Sequence, residues 1–263
     1  MSTEPFVPPR PDAPFPPQGT PPVSPPGDRQ PATWGWLEAV LVYVIAFVIA
    51  GLATIPFIAI MGEDDDLATL AATVAAALVI IGVLVGWLSK FHRGWLAVMR
   101  LPERGRWGKE LLTGALFGLG LYPTAVFVVG GLVVVVLNLI SGDAVQAPEQ
   151  VPENLSATGV ALTILYAIVI APVGEELFFR GILFRSLRDR HGRAVGIGGS
   201  ALAFGLIHFI PGPAADAALL MLVMVFTGAA LAYLYERRGT VVAPIAAHMT
   251  FNVIGLVLIL GLR

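Results

Sequence analysis

Apolar residues in this chain fill whole segments instead of marking one face of a helix or one side of a strand. Runs apolar enough to cross a bilayer lie at about 35–61, 67–89, 110–140, 157–178, 196–211, 215–235 and 240–262; a crossing helix needs about 20 such residues. The pattern predicts an all-α fold, a polytopic transmembrane helical bundle of seven or eight spans. The run 110–140 leaves the count open. As one straight helix it would be roughly 46 Å long against a ~30 Å hydrocarbon core, so it is tilted, kinked at Pro123, or two shorter elements. The run 196–211 is short and glycine-rich at its start, which softens its boundary.

Polar residues gather between the runs, and their sign alternates. Lys90, Arg93, Arg100, Arg104, Arg106 and Lys109 share one connection, and Arg180, Arg185, Arg188, Arg190 and Arg193 another, with Arg237 and Arg238 before the last run. The intervening connections are acidic and lack lysine and arginine: Glu63 to Asp66, then Asp143, Glu149 and Glu153, then Asp216. With seven spans, 15 of the 16 basic residues fall on one side, counting Arg10 and Arg29, and only Arg263 on the other. Positive charge favours the cytoplasmic side. The expectation is an integral protein of the plasma membrane whose N-terminus and basic connections are cytoplasmic.

Composition supports the class: charged residues make up 13% of the chain, against about 25% in a soluble domain. The absence of cysteine excludes disulfides, a thiolate nucleophile and cysteine-ligated metal. No nucleic-acid partner is expected; the lipid bilayer is the first partner. Residues 1–33 hold 12 of the 21 prolines and cannot bury enough apolar surface to fold. They are expected to form a disordered, partly polyproline-II cytoplasmic tail, either solvated or a docking arm for a proline-binding partner. A cleavable signal would place a basic region directly before a short apolar core. Here the first run begins near Trp34, so it is expected to stay, giving a membrane-embedded domain over 34–263.

Ionisable groups inside the runs carry the chemistry. Each costs about 2.5–3.5 kcal/mol at a helix centre on insertion scales. Glu175-Glu176-Leu177-Phe178-Phe179-Arg180 lies at the end of the fourth run, Phe204-Gly205-Leu206-Ile207-His208 in the fifth and His248-Met249-Thr250-Phe251-Asn252 in the last. On a helix, Glu176 and Arg180 share a face and can pair. Glu175, about 100° round, has no partner nearby in sequence and is free for general-base work. Phe204 stacks one turn from His208. His248 and Asn252 again share a face, as glue between helices or as donors to a developing oxyanion. Glu175 looks close to the cytoplasmic end of its run, whereas His208 lies roughly 18 Å deep in the next. The two meet only if the fourth helix continues past Arg180, which the apolar spacing in residues 177–190 permits.

Taken in order, these three patterns resemble the EExxxR, FxxxH and HxxxN/B signatures of the CPBP family, the CAAX proteases and bacteriocin-processing (Abi-type) enzymes. The resemblance covers a motif-bearing core of about 110–262. It implies an intramembrane endopeptidase in which Glu175 and His208 activate water and His248 and Asn252 stabilise the oxyanion. Glu176, Arg180 and Phe204 would support the site, and the substrate would be a peptide or membrane-anchored protein. Glu175, His208 and His248 also form a zinc-type donor set, but HExxH is absent and no obligatory divalent metal is expected. Three rival readings compete. A rhomboid-like serine enzyme would use Ser200 of Gly198-Gly199-Ser200, which stands about 12 Å along the helix from His208. A scaffold or immunity-type factor would use the polar groups as interhelical contacts. A transporter would be expected to show inverted repeats, and none is evident.

Overall fold

A computed structural model describes residues 31–61, 66–152 and 155–261; the expected tail up to residue 30 lies outside them. Eight helices follow in order: α1 Trp36–Met61, α2 Asp66–Phe91, the short α3 Trp95–Met99, α4 Trp107–Ser141, α5 Ala157–His191, α6 Arg193–Ile207, α7 Ala214–Arg238 and α8 Val242–Gly261. Six of them, α1, α2, α4, α5, α7 and α8, are long and apolar enough to cross a bilayer, and α6 is a shorter apolar helix. Each apolar run thus becomes one helix, and the fold is all-α. Outward faces of α1 and α4 expose Leu37, Leu41, Leu52, Leu112, Leu116 and Leu132. Such a continuous apolar surface suits lipid and would associate in water.

The ambiguous run is a single helix. A π-helical segment, Thr124–Gly130, begins directly after Pro123. Proline removes one N–H from the ladder and crowds the carbonyl one turn back, and the wider turn absorbs that break without ending the helix. Helix α5 likewise runs beyond its expected end at 178, continuing to His191. Its arginine-rich end is held by ion pairs: Arg185 with Asp189 at 3.2 Å, and Arg188 with Asp189 at 3.3 Å and with Glu236 of α7 at 3.2 Å. Glu175 therefore lies roughly 24 Å before the end of its helix, which removes the mismatch in depth with His208.

Two helices touch at backbone distance. Gly114 and Gly118, one turn apart on α4, lie against α8; a methyl group there would overlap the carbonyls of Ala243 and Ala247 respectively. Small residues at this spacing let helices in lipid gain close van der Waals contact. Gly118→Val is expected to lower stability by about 1–3 kcal/mol or more through overpacking. Gly120→Val, which meets open space, should cost less, and thermal unfolding in detergent would compare the two.

The folded unit begins at Pro31, three residues ahead of the boundary read from sequence. The Ala32 N–H donates to Asp189 Oδ2 at 2.9 Å, and the buried Trp34 donates its Nε1–H to the Ile182 carbonyl at 3.1 Å. Thr33 Oγ1 lies 2.9 Å from His92 Nδ1 and Glu38 Oε1 3.1 Å from His92 Nε2. Ala32 and Thr33 are fixed because α5 and the turn after α2 offer them partners, which composition alone does not reveal.

Candidate active site

The site is built on an interruption in α5. An α-helical turn, Ala171–Glu176, sits between two π-helical segments, Tyr166–Ile170 and Leu177–Phe184. In the first segment the Ala171 N–H bonds to the Tyr166 carbonyl, five residues back. The next bond in that register would run from residue 172 to Ala167, but Pro172 has no N–H to give. The orphaned Ala167 carbonyl instead accepts from Asn252 Nδ2 at 2.7 Å. The second segment is held similarly: the Phe179 carbonyl accepts from Ser200 Oγ at 3.0 Å and the Ile182 carbonyl from Trp34. Side chains from α8, α6 and the N-terminal segment thus satisfy carbonyls of the widened helix. Segments of this kind recur at functional sites.

Glu176 is fully buried, and its Oε1 accepts from Arg180 Nη1 at 2.9 Å and from His248 Nδ1 at 3.0 Å. Arg180, equally buried, donates through Nη2 to the Gly228 carbonyl of α7 at 2.9 Å and lies over the Phe204 ring at 4.6 Å. Glu175 is 18% exposed, and its Oε2 has no hydrogen-bond partner among the described residues; the nearest imidazole nitrogen, His248 Nε2, is 4.0 Å away. His208 stands immediately past the end of α6, where Pro211, Gly212 and Pro213 follow. Its Nδ1 donates to the Phe204 carbonyl at 2.7 Å, which leaves Nε2 as the lone-pair nitrogen of the neutral ring. Phe204 touches both imidazoles, with centroids 4.7 Å from His208 and 5.8 Å from His248.

A cavity of about 540 Å³ opens beside this cluster. Glu175 and His208 are on its wall together with Tyr166 of α5. The facing wall comes from α1 and α2, through Tyr43, Phe47, Ile80 and Ile81. The structure thus gathers Glu175, Glu176, Arg180, Phe204, His208 and His248 into one cluster, with Glu175 and His208 on the cavity wall. Asn252 lies one turn beyond His248, engaged with Ala167. Sequence reasoning missed Tyr43 and Tyr166; the signal it passed over is a phenol inside an otherwise apolar run, a group that needs a polar partner. Ser200, the serine-enzyme candidate, is fully buried and donates to a carbonyl.

Among the described residues no three histidine, aspartate or glutamate side chains are arranged to hold a metal ion, Glu175, His208 and His248 included.

Residues 157–254 match the model of the Rce1-like family, described as type II CAAX prenyl endopeptidase Rce1-like. The match contains all three motifs, and the resemblance to the CAAX-protease family holds for this segment. No curated protein and no solved structure matches the chain.

Removing the Asn252 amide leaves the Ala167 carbonyl without a donor where the bilayer supplies no water. Asn252→Ala is expected to lower stability by about 1–3 kcal/mol, read as an earlier thermal transition in detergent.

Proposed function

We propose that this chain is an intramembrane endopeptidase of the CAAX-protease type that uses water activated by glutamate and histidine. One observation carries the reading. Glu175 and His208 come from different helices to one cavity with Glu175 Oε2 and His208 Nε2 uncommitted, while the adjacent Glu176 is tied to Arg180 and His248. A water between them donates one hydrogen bond to each. Glu175 takes its proton as the oxygen adds to the peptide carbonyl carbon, and the carbonyl pair moves onto oxygen. Collapse of that intermediate breaks the C–N bond, and the departing amine recovers the proton from Glu175. The family resemblance assigns the oxyanion to His248 and Asn252. Asn252 has one N–H left after Ala167, and His248, with Nδ1 on Glu176, donates through Nε2 only as the imidazolium.

In this reading the arginine-rich ends of the helices and the N-terminus face the cytoplasm of a cell whose plasma membrane holds the protein. The bond cut belongs to a peptide or membrane-anchored protein near that face. A scaffold would instead use its intramembrane polar groups as contacts. Arg180 and Asn252 do bind backbone carbonyls, but Glu175 has no such use.

The test is hydrolysis of a quenched fluorescent peptide library by purified protein in detergent. Wild type, Glu175→Gln and His208→Ala run in parallel, each with and without chelator. Cleavage that both substitutions abolish, with folding intact, supports the enzyme, and the chelator arm reports any metal requirement. Turnover that survives both would sink the mechanism.

A further inference from the structure

Resting on that reading, we infer that Tyr43 of α1 is a catalytic residue whose hydroxyl donates a hydrogen bond to the oxyanion of the substrate. Tyr43 lies outside residues 157–254, the segment that carries the family match.

Four polar side chains line the cavity: Tyr43, Tyr166, Glu175 and His208. Glu175, as carboxylate, can only accept. His208 spends its one neutral N–H on the Phe204 carbonyl. The wall therefore offers two donors to a developing negative charge, the phenols, and neither hydroxyl bonds to any described residue. Behind the wall, His248 directs its Nδ1 to Glu176 and Asn252 commits one amide hydrogen to Ala167. A phenol, like the remaining Asn252 N–H, is a neutral donor that requires no change of protonation before the reaction. Held in an apolar enclosure, such a donor is preorganised and favours the transition state over the ground state.

Position selects Tyr43 over Tyr166. The Tyr43 ring stacks on Phe178 with centroids 3.9 Å apart and planes 20° apart, and meets Phe179 edge-on at 6.1 Å. Phe178 follows Glu175 by less than one helical turn, so α1 places the phenol at the depth of the carboxylate. Tyr43 reaches the cavity from α1, whereas Glu175 reaches it from α5. Water activated from the α5 side and a donor on the α1 side would then address the two ends of one carbonyl. Tyr166 sits on α5 itself, the helix that carries Glu175, so its phenol reaches the cavity from the side of the activated water.

The experiment is steady-state hydrolysis of the best-cleaved library peptide by full-length wild type, Tyr43→Phe, Tyr166→Phe and Glu175→Gln. Phenylalanine keeps the ring that stacks on Phe178, so folding is preserved, and a thermal scan verifies it. Removing one oxyanion donor lowers kcat by about 10²–10³-fold in a well-studied protease. Tyr43→Phe is expected to show a loss of that size with KM changed less than about threefold, and Tyr166→Phe a much smaller loss. Tyr43→Phe within threefold of wild type, beside an inactive Glu175→Gln, overturns this inference and leaves the hydrolase reading standing. An effect confined to KM would reassign Tyr43 to substrate binding and overturn the oxyanion role. Absence of turnover in the wild type fails the hydrolase reading, and this inference with it.

Discussion

Glu175→Gln is expected to abolish peptide hydrolysis while leaving insertion, folding and thermal stability close to wild type. The substitution is isosteric, and the oxygen it replaces, Oε2, holds no protein partner among the described residues. No native hydrogen bond to that atom is lost, and a charge at an intramembrane position is removed. What disappears is the group that takes the proton from water. General base catalysis contributes about 10²–10⁴-fold, and an amide cannot replace it at any pH. His208→Ala should fall in the same direction, because its Nε2 shares the water. If one group merely orients what the other activates, the double variant will lose little more than the worse single variant, since groups acting as a unit are strongly non-additive. The measurement is kcat for all three on one peptide, with a thermal scan of each. A Glu175→Gln protein that cleaves within tenfold of wild type would remove the carboxylate from the mechanism.

The helices were legible because a bilayer constrains composition: apolar runs of spanning length map onto α1, α2, α4, α5, α7 and α8. Arg185, Arg188 and Arg190 lie in the last turns of α5, whereas Arg180, grouped with them in the sequence, is buried within the helix. The continuation of α5 to His191 was legible too, in the apolar spacing of residues 177–190. The Glu176–Arg180 pair followed from a separation of four residues. The π-helical segments were not, since a widened turn leaves no compositional mark. In hindsight Pro172 is a partial sign, because a missing N–H there demands a donor from elsewhere, and Asn252 supplies it. Nor was the far wall of the cavity legible. Tyr43 reaches Phe178 across 135 residues of chain, and such pairings are set by how α1 and α2 pack, not by any local pattern. The depth of Glu175 was not plain from the apolar run alone, which stops at 178 while α5 continues to His191. His208 keeps its depth, but α6 ends at Ile207 and the imidazole sits at the break.

Glu176→Gln makes the same chemical change one residue further along, and the opposite result is expected: loss of stability first, with activity lost as a consequence. Oε1 of Glu176 receives Arg180 and His248 together, at 2.9 Å and 3.0 Å, and both members of the ion pair are wholly buried. An amide there leaves the guanidinium of Arg180 in a dry interior with the Gly228 carbonyl and the faces of Phe204 and Phe179 as remaining support. Breaking a buried pair from one side costs about 3–5 kcal/mol, because the surviving charge stays desolvated without its counter-ion. Removing both charges is less damaging than removing one, so Glu176→Gln combined with Arg180→Met should regain part of the loss. The recovery stays incomplete, because Arg180→Met also strips the Gly228 carbonyl of its donor. Thermal unfolding in detergent of the two single variants and the double variant forms the cycle that measures this coupling. Simple additivity would show that Arg180 and Glu176 do not depend on each other. The expected pattern, a large single loss partly repaired by the second change, identifies Glu176 as the fixed member of the acidic pair. It also gives the physical reason why two adjacent glutamates in one helix perform different work: one is neutralised by the structure that holds it, and the other is left facing the cavity.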